Sequence, residues 1–156
     1  MLKKLSRDFK MVTIYTIGFT KKSLEEFSNK LKKDGITKLI DIRLNRNSQL
    51  SGFAKERDLK YVLERFLDIK YEIMEDLAPT EELLKNYRES KDWGRYETEF
   101  KKLMNERELE KFRNVILDDR QKICFLCSES EPDKCHRRIV SEFFQSLGEH
   151  VSVKHL

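Results

Sequence analysis

The residues best equipped for chemistry lie near the C-terminus, in Cys124-Phe125-Leu126-Cys127-Ser128-Glu129-Ser130-Glu131-Pro132-Asp133-Lys134-Cys135-His136-Arg137-Arg138. Thiols clustered this way serve metal binding or catalysis where the compartment is reducing. A zinc centre would draw on Cys124, Cys127, Cys135 and His136. Two spacings argue against it. Cys124 and Cys127 bracket an apolar run that reads as a strand, where residues three apart face opposite sides. Cys135 and His136 are adjacent, and on a helix neighbours diverge by ~100°. The expectation is therefore no metal, with Cys124 a small core residue. A Cys-x₅-Arg phosphate cradle starting at Cys127 needs arginine at position 133, which is Asp133. Its loop also lacks glycine and carries Glu129, Glu131 and Asp133, which repel phosphate. A third chemistry follows if Asp133 caps a helix. Cys135, His136 and Arg137 then occupy its first turn, where amides and dipole favour anions and lower a thiol pKa. Cys135 becomes a nucleophile, with His136 or Glu129 moving the proton. The plainer alternative has Cys135 packed under the helix, His136 capping a neighbour and Arg137 paired with Asp41 or Glu129. The residues alone leave both open.

These side chains need elements to position them. Val12-Thr13-Ile14-Tyr15-Thr16-Ile17 is β-branched and aromatic, ends at Gly18, and reads as a central first strand. Ser23 and Glu26 form an S-x-x-E capping box, followed by a helix with Leu24, Phe27 and Leu31 inward and Gly35 as its stop. Lys38 to Arg43 is a second strand, predicted to pair in parallel with the first through a right-handed crossover. Arg57 to Leu67 reads as a helix and Tyr71 to Met74 as a strand. Thr80 is a candidate cap for a helix running to Tyr87. Trp93, Tyr96, Phe100, Leu103 and Met104 mark another helix, and residues 109–114 a short one. Ile123 to Cys127 holds five consecutive apolar residues, the pattern of a strand buried on both faces. A helix over 133–147 and a last strand over 151–155 complete the chain.

Strands alternating with helices predict an α/β fold: a mostly parallel sheet flanked by helices, a Rossmann-like three-layer sandwich. Residues 1–11 read as a flexible basic tail and residues 12–156 as a single α/β domain. In such sheets ligands bind beyond the carboxyl ends of strands. That rule gathers Gly18-Phe19-Thr20, Asp41 to Arg46, and Cys127-Ser128-Glu129 on one edge. Arg43, Arg46, Lys55 and Arg57 surround a polar loop and offer an anion grip, or else a solvated loop with loose ion pairs. Tyr87, Trp93, Tyr96 and Phe100 have near-helical spacing, which favours core over base stacking. Neither His150 nor His155 gains a role.

Composition narrows the classes. Across 156 residues, hydrophobic and charged types each make up 38%. Ten Phe, five Tyr and one Trp supply one core. No apolar run approaches the ~20 residues of a membrane helix. The N-terminus has no apolar signal stretch, so the expected location is cytoplasmic. Residues 1–10 hold four cations and one anion, so they carry most of the formal net charge of +4. The body is near neutral, unlike a strongly basic nucleic-acid clamp.

Ile14-Tyr15-Thr16-Ile17-Gly18, Leu39-Ile40-Asp41-Ile42-Arg43, Leu77-Ala78-Pro79-Thr80 and the late Cys127-x-Glu129…Cys135-His136-Arg137 together resemble domain-of-unknown-function family 488. The likeness runs from Val12 to His155. The second strand also resembles that of rhodanese-like domains, although the cradle arginine is missing. The family resemblance implies an α/β fold and marks Gly18, Thr20, Asp41, Arg43, Cys127, Glu129, Cys135, His136 and Arg137 as site positions. It implies no particular reaction. The family's first loop usually reads Gly-His-Ser/Thr, and here it is Gly18-Phe19-Thr20, which removes one candidate base. The combined expectation is a small enzyme, a hydrolase or transferase using carboxylate or thiol chemistry. It would bind a phosphate- or nucleotide-like anion at the sheet edge. Asp41, Glu129, Cys135 and His136 are the catalytic candidates. Gly18, Thr20, Arg43, Arg46, Cys127 and Arg137 are the ligand-binding candidates. The cofactor is left unknown, as is the oligomeric state, and no membrane partner is implied. The alternative is a non-catalytic nucleic-acid-binding module using the basic tail and the arginine loop.

Overall fold

The computed structural model describes residues 10–156. Most of the expected basic tail, residues 1–9, lies outside the described residues. Five strands form one sheet: β1 (Val12–Gly18), β2 (Lys38–Asp41), β3 (Lys70–Ile73), β4 (Ile123–Cys127) and β5 (Val151–His155). All pairings are parallel, in the order β3-β2-β4-β1-β5. Among the described residues six α-helices join them: α1 (Leu24–Lys33), α2 (Glu56–Phe66), α3 (Glu81–Ser90), α4 (Trp93–Glu106), the single-turn α5 (Arg113–Ile116) and α6 (His136–Ser146).

Two expectations need correcting. β1 is not central and does not pair with β2, because β4 lies between them. The residue chemistry accounts for this. Every β4 residue is buried, and five apolar side chains in a row suit the position with helices on both faces. β1 carries Thr13 and Thr16, whose hydroxyls meet Ser152 Oγ at 2.9 Å and His155 Nδ1 at 2.6 Å on β5. The second correction concerns the last helix. It starts at His136, not Asp133, and Cys135 is an extended N-cap residue at φ −135°, ψ 138°. The Cys135 amide donates to the Pro132 carbonyl at 3.1 Å, closing a turn ahead of the helix.

Side-chain alternation along the strands splits the core into two layers. Ile14, Ile40 and Phe125 join Leu83, Phe100 and Phe144 from α3, α4 and α6. Tyr15, Ile17, Leu39, Cys124 and Leu126 join Phe27 and Leu31 of α1 and Leu59 and Leu63 of α2. Helices therefore cover both faces, giving the three-layer α/β arrangement. The Ser23–Glu26 box closes α1 in both directions, at 3.1 and 2.9 Å, and Thr80 caps α3 through the Leu83 amide. Among the described residues no helix is long and apolar enough to cross a membrane.

Register fixes the site. Gly18 stands beside Cys127, and Asp41 beside Leu126. Parallel strands place these ends on the same edge.

Candidate active site

The segment after β4 is braced from two sides. Phe19 donates its amide to the Cys127 carbonyl at 3.3 Å. Thr20 gives both its amide (3.1 Å) and its hydroxyl (2.6 Å) to the Ser128 carbonyl. Arg137 is fully buried and donates to the backbone carbonyls of Glu129 (2.6 Å) and Ser130 (3.1 Å). Its hydrogen-bond acceptors are thus carbonyls, not the carboxylates of Asp41 or Glu129. A Cβ on Gly18 would sit 1.6 Å from the Glu129 carbonyl oxygen and 2.4 Å from Arg137 Nη1. Only glycine admits that approach. Gly18, Thr20 and Arg137 therefore shape the loop.

A second buried lattice fixes the end of β2. Arg43 grips Asp41 bidentately, with Nε to Oδ1 at 2.9 Å and Nη2 to Oδ2 at 2.7 Å. Arg43 Nη2 also donates to the Ala54 carbonyl at 2.7 Å, and the Tyr71 hydroxyl donates to Asp41 Oδ2. Burial, reinforced by Asp41, pushes the Tyr71 hydroxyl pKa up. The Arg43 guanidinium lies 5.3 Å from the centre of the Phe19 ring. Phe19 is thus a buried platform for an arginine. Arg43 Nη1 is buried without a partner. Arg46 turns to the loop instead, reaching Glu56 at 3.0 Å, Glu75 at 3.1 Å and the Arg43 carbonyl at 3.3 Å.

The reactive groups meet between β4 and α6. Cys127 Sγ is 2.8 Å from Cys135 Sγ and 3.5 Å from His136 Nδ1. His136 Nε2 is 2.7 Å from the Ile42 carbonyl. A carbonyl only accepts, so Nε2 carries hydrogen and Nδ1 is the atom that faces the thiol. Because Cys135 is extended rather than helical, it and His136 converge, where helical neighbours would diverge. Cys124 belongs to the opposite core layer, and burial drives its thiol pKa up. Burial also opposes ionisation of Cys127. The Cys135 thiol, the His136 imidazole and the Glu129 amide outweigh it, holding Cys127 well below the usual thiol range. Cys135 moves the other way, raised by burial and by the neighbouring sulfur. For His136, burial lowers the pKa, but the Cys127 sulfur more than offsets this and the net shift is upward. The protonation pattern this favours is a Cys127 thiolate receiving hydrogen bonds from the Cys135 S–H and the His136 imidazolium.

Cys127, Cys135 and His136 are also the residues that could hold a metal, since their ligand atoms lie within 4.8 Å of one another. Tetrahedral zinc with ~2.3 Å bonds to sulfur sets its two sulfurs ~3.7 Å apart. The observed 2.8 Å is well inside that spacing, so the geometry suits direct thiol–thiol contact better.

A cavity of about 360 Å³ opens against this cluster. Of the residues singled out from sequence, Arg43, Cys127, Glu129, Cys135 and His136 line it. Asp41, Gly18, Thr20, Arg46 and Arg137 stand behind or beside the wall. The sequence reading missed the charges of the opposite side, Arg88, Lys91 and Lys134, and favoured core for Tyr87 and Trp93, whose rings also line the cavity. Those two rings meet edge to face at 5.6 Å, while Tyr96 and Phe100 sink into the core. One signal was available: Arg88 and Lys91 close a helix that starts right after the Leu77–Thr80 segment.

Fold and site together define a parallel α/β protein with a thiol–imidazole cluster at the carboxyl edge of its sheet. The chain matches the family model described as "Domain of unknown function DUF488" over residues 23–144, most of its length, and it belongs to that family. Neither the curated proteins nor the solved structures contain a match to it.

Proposed function

We propose that this protein is a small thiol-dependent enzyme that binds a phosphate- or nucleotide-like anion in the sheet-edge cavity. One observation carries the reading: Cys127 Sγ, Cys135 Sγ and His136 Nδ1 converge on a cavity that Arg43, Arg88, Lys91 and Lys134 also line. Glu129 is the only carboxylate among the lining residues, so the local charge favours an anion. The volume lies in the range of small-molecule sites. Tyr87 and Trp93 offer a face for a planar group.

The reaction class is hydrolysis or group transfer. Cys127 is the nucleophile and His136 its charge partner, an assignment that moves the leading thiol role from Cys135 to Cys127. The sulfur bonds to the ligand's electrophilic centre, and the bonding pair of the broken bond leaves with the departing group. That group takes a proton from His136 Nδ1. Asp41 supports this indirectly by fixing Arg43, and Glu129 stands at the exposed mouth.

Alkylation by iodoacetamide tests the nucleophile. A thiol below the usual range keeps its anion as pH falls, so Cys127 should still react at pH 6. His136→Phe removes the main charge partner and should slow that reaction at least tenfold at pH 6, with less effect at pH 9. Cys124 reacts only after unfolding. A Cys127 that reacts no faster than Cys124 removes the nucleophile from the reading.

Calorimetric titration with nucleoside monophosphates tests the anion. Arg88→Glu with Lys91→Glu should weaken binding at least tenfold while the unfolding midpoint stays within a degree or so, since both side chains are exposed. Equal affinity in wild type and double variant rejects the cationic wall.

A further inference from the structure

Resting on the reading of Cys127 as the nucleophile of the cavity, we propose that Cys127 and Cys135 are a two-electron redox pair, oxidised by hydroperoxides to an intramolecular disulfide. The two sulfurs are already 2.8 Å apart, and a disulfide needs closure to ~2.05 Å. Both belong to the cavity wall, so a small peroxide entering the cavity meets them. Cys135 heads α6 in extended conformation, yet its side chain caps no helix amide and turns to Cys127 instead. The intervening segment, residues 128–134, contains no helix or strand that a sub-ångström shift would break. Cys124 takes no part, being sealed in the other core layer.

The pair is asymmetric, which orders the steps. Cys127 touches His136, and Cys135 has no such partner among its hydrogen bonds. The Cys127 thiolate attacks one peroxide oxygen. The S–O bond forms, the O–O bond breaks, and the departing oxygen takes a proton from His136 to leave as water or an alcohol. Cys127 is then a sulfenic acid. Cys135 attacks that sulfur and expels the hydroxyl group as water, with the Cys135 proton accounting for the second hydrogen. Two thiols and one hydrogen peroxide thus become one disulfide and two waters. An external dithiol returns both electrons by exchange. While the disulfide stands, Cys127 has no free sulfur, so the oxidised form is unavailable for nucleophilic chemistry.

The test treats the reduced full chain with one equivalent of hydrogen peroxide, followed by acid quench, alkylation and tryptic mass spectrometry. Cleavage after Lys134 separates the two cysteines, so their disulfide appears as a crosslink between peptides 123–134 and 135–137. The expected result is that crosslink in near-stoichiometric yield, reversed by dithiothreitol and retained in Cys124→Ser. It should vanish in Cys127→Ser. In Cys135→Ser a dimedone adduct should accumulate on Cys127 instead. Wild-type protein that yields no crosslink, or that runs on to sulfinic acid at Cys127, overturns the pair. Iodoacetamide labelling of the reduced sample separates the two proposals. Fast labelling without a crosslink ends the redox pair and leaves the thiol enzyme standing, whereas a crosslink without fast labelling keeps the disulfide but overturns both the enzyme reading and Cys127 as the thiol that attacks the peroxide.

Discussion

Asp41→Ala is expected to cost about 3–5 kcal/mol of folding stability, the usual penalty for leaving a buried charge without its partner. Asp41 is wholly buried and Arg43 is 2% exposed. The variant strands the Arg43 guanidinium, which already has one buried nitrogen unsatisfied. It also deprives the Tyr71 hydroxyl of its acceptor. A fall in the urea midpoint measures the effect. Two controls give it meaning. Glu99→Ala breaks the exposed pair with Arg95 and should cost no more than about 0.5 kcal/mol. Asp41→Leu combined with Arg43→Met removes both charges and should recover much of the loss, because neither desolvation penalty remains. An Asp41→Ala variant as mild as Glu99→Ala would mean that this pair does not organise the end of β2.

That pair also shows how far the sequence could be read. The apolar run Ile123 to Cys127, the Ser23–Glu26 box and the helix–strand alternation determined the fold class, because each is a local pattern with one favoured outcome. The strand order was less legible. β1 is as β-prone as β4 and is also packed on both faces from Ile14 to Gly18, so the order is set by long-range pairing, with the Thr13 and Thr16 hydroxyls of β1 meeting β5. The site was legible as a list of residues and not as a set of roles. Arg43 and Arg137 looked like ligand grips because they are arginines at a strand end and a helix start. In the fold their donors go chiefly to Asp41 and to loop carbonyls. Helical divergence would separate Cys135 from His136 only if both were helical, but helix α6 begins one residue later than Cys135, and that single residue brings their side chains together. Arg88 and Lys91 were missed, and Trp93 was assigned to core, for a different reason. They lie on or between α3 and α4, and what places those helices over the sheet edge is long-range packing.

The close approach at Gly18 gives the second large effect. Gly18→Ala should destabilise the protein by about 3 kcal/mol, at the upper end of the usual cost of overpacking. The inserted methyl would fall 1.6 Å from a backbone oxygen, where no side-chain rotation can relieve it. Either β1 or the segment Cys127–Glu129 must move. Moving the segment breaks the Thr20 bonds to Ser128 and the Arg137 bonds to Glu129 and Ser130, so the penalty spreads beyond one contact. It should also displace Cys127 from His136, and the low-pH alkylation of Cys127 should fall alongside stability. Gly94→Ala is the matched control. Its Cβ would meet only Asp92 Oδ1, at an ordinary 3.6 Å, and a helical alanine should be neutral or stabilise by up to about 1 kcal/mol. A Gly18→Ala protein with an unchanged urea midpoint would show that β1 and the Cys127–Glu129 segment are not in contact. With that contact gone, the account of how the first strand holds the thiol loop in place would fail.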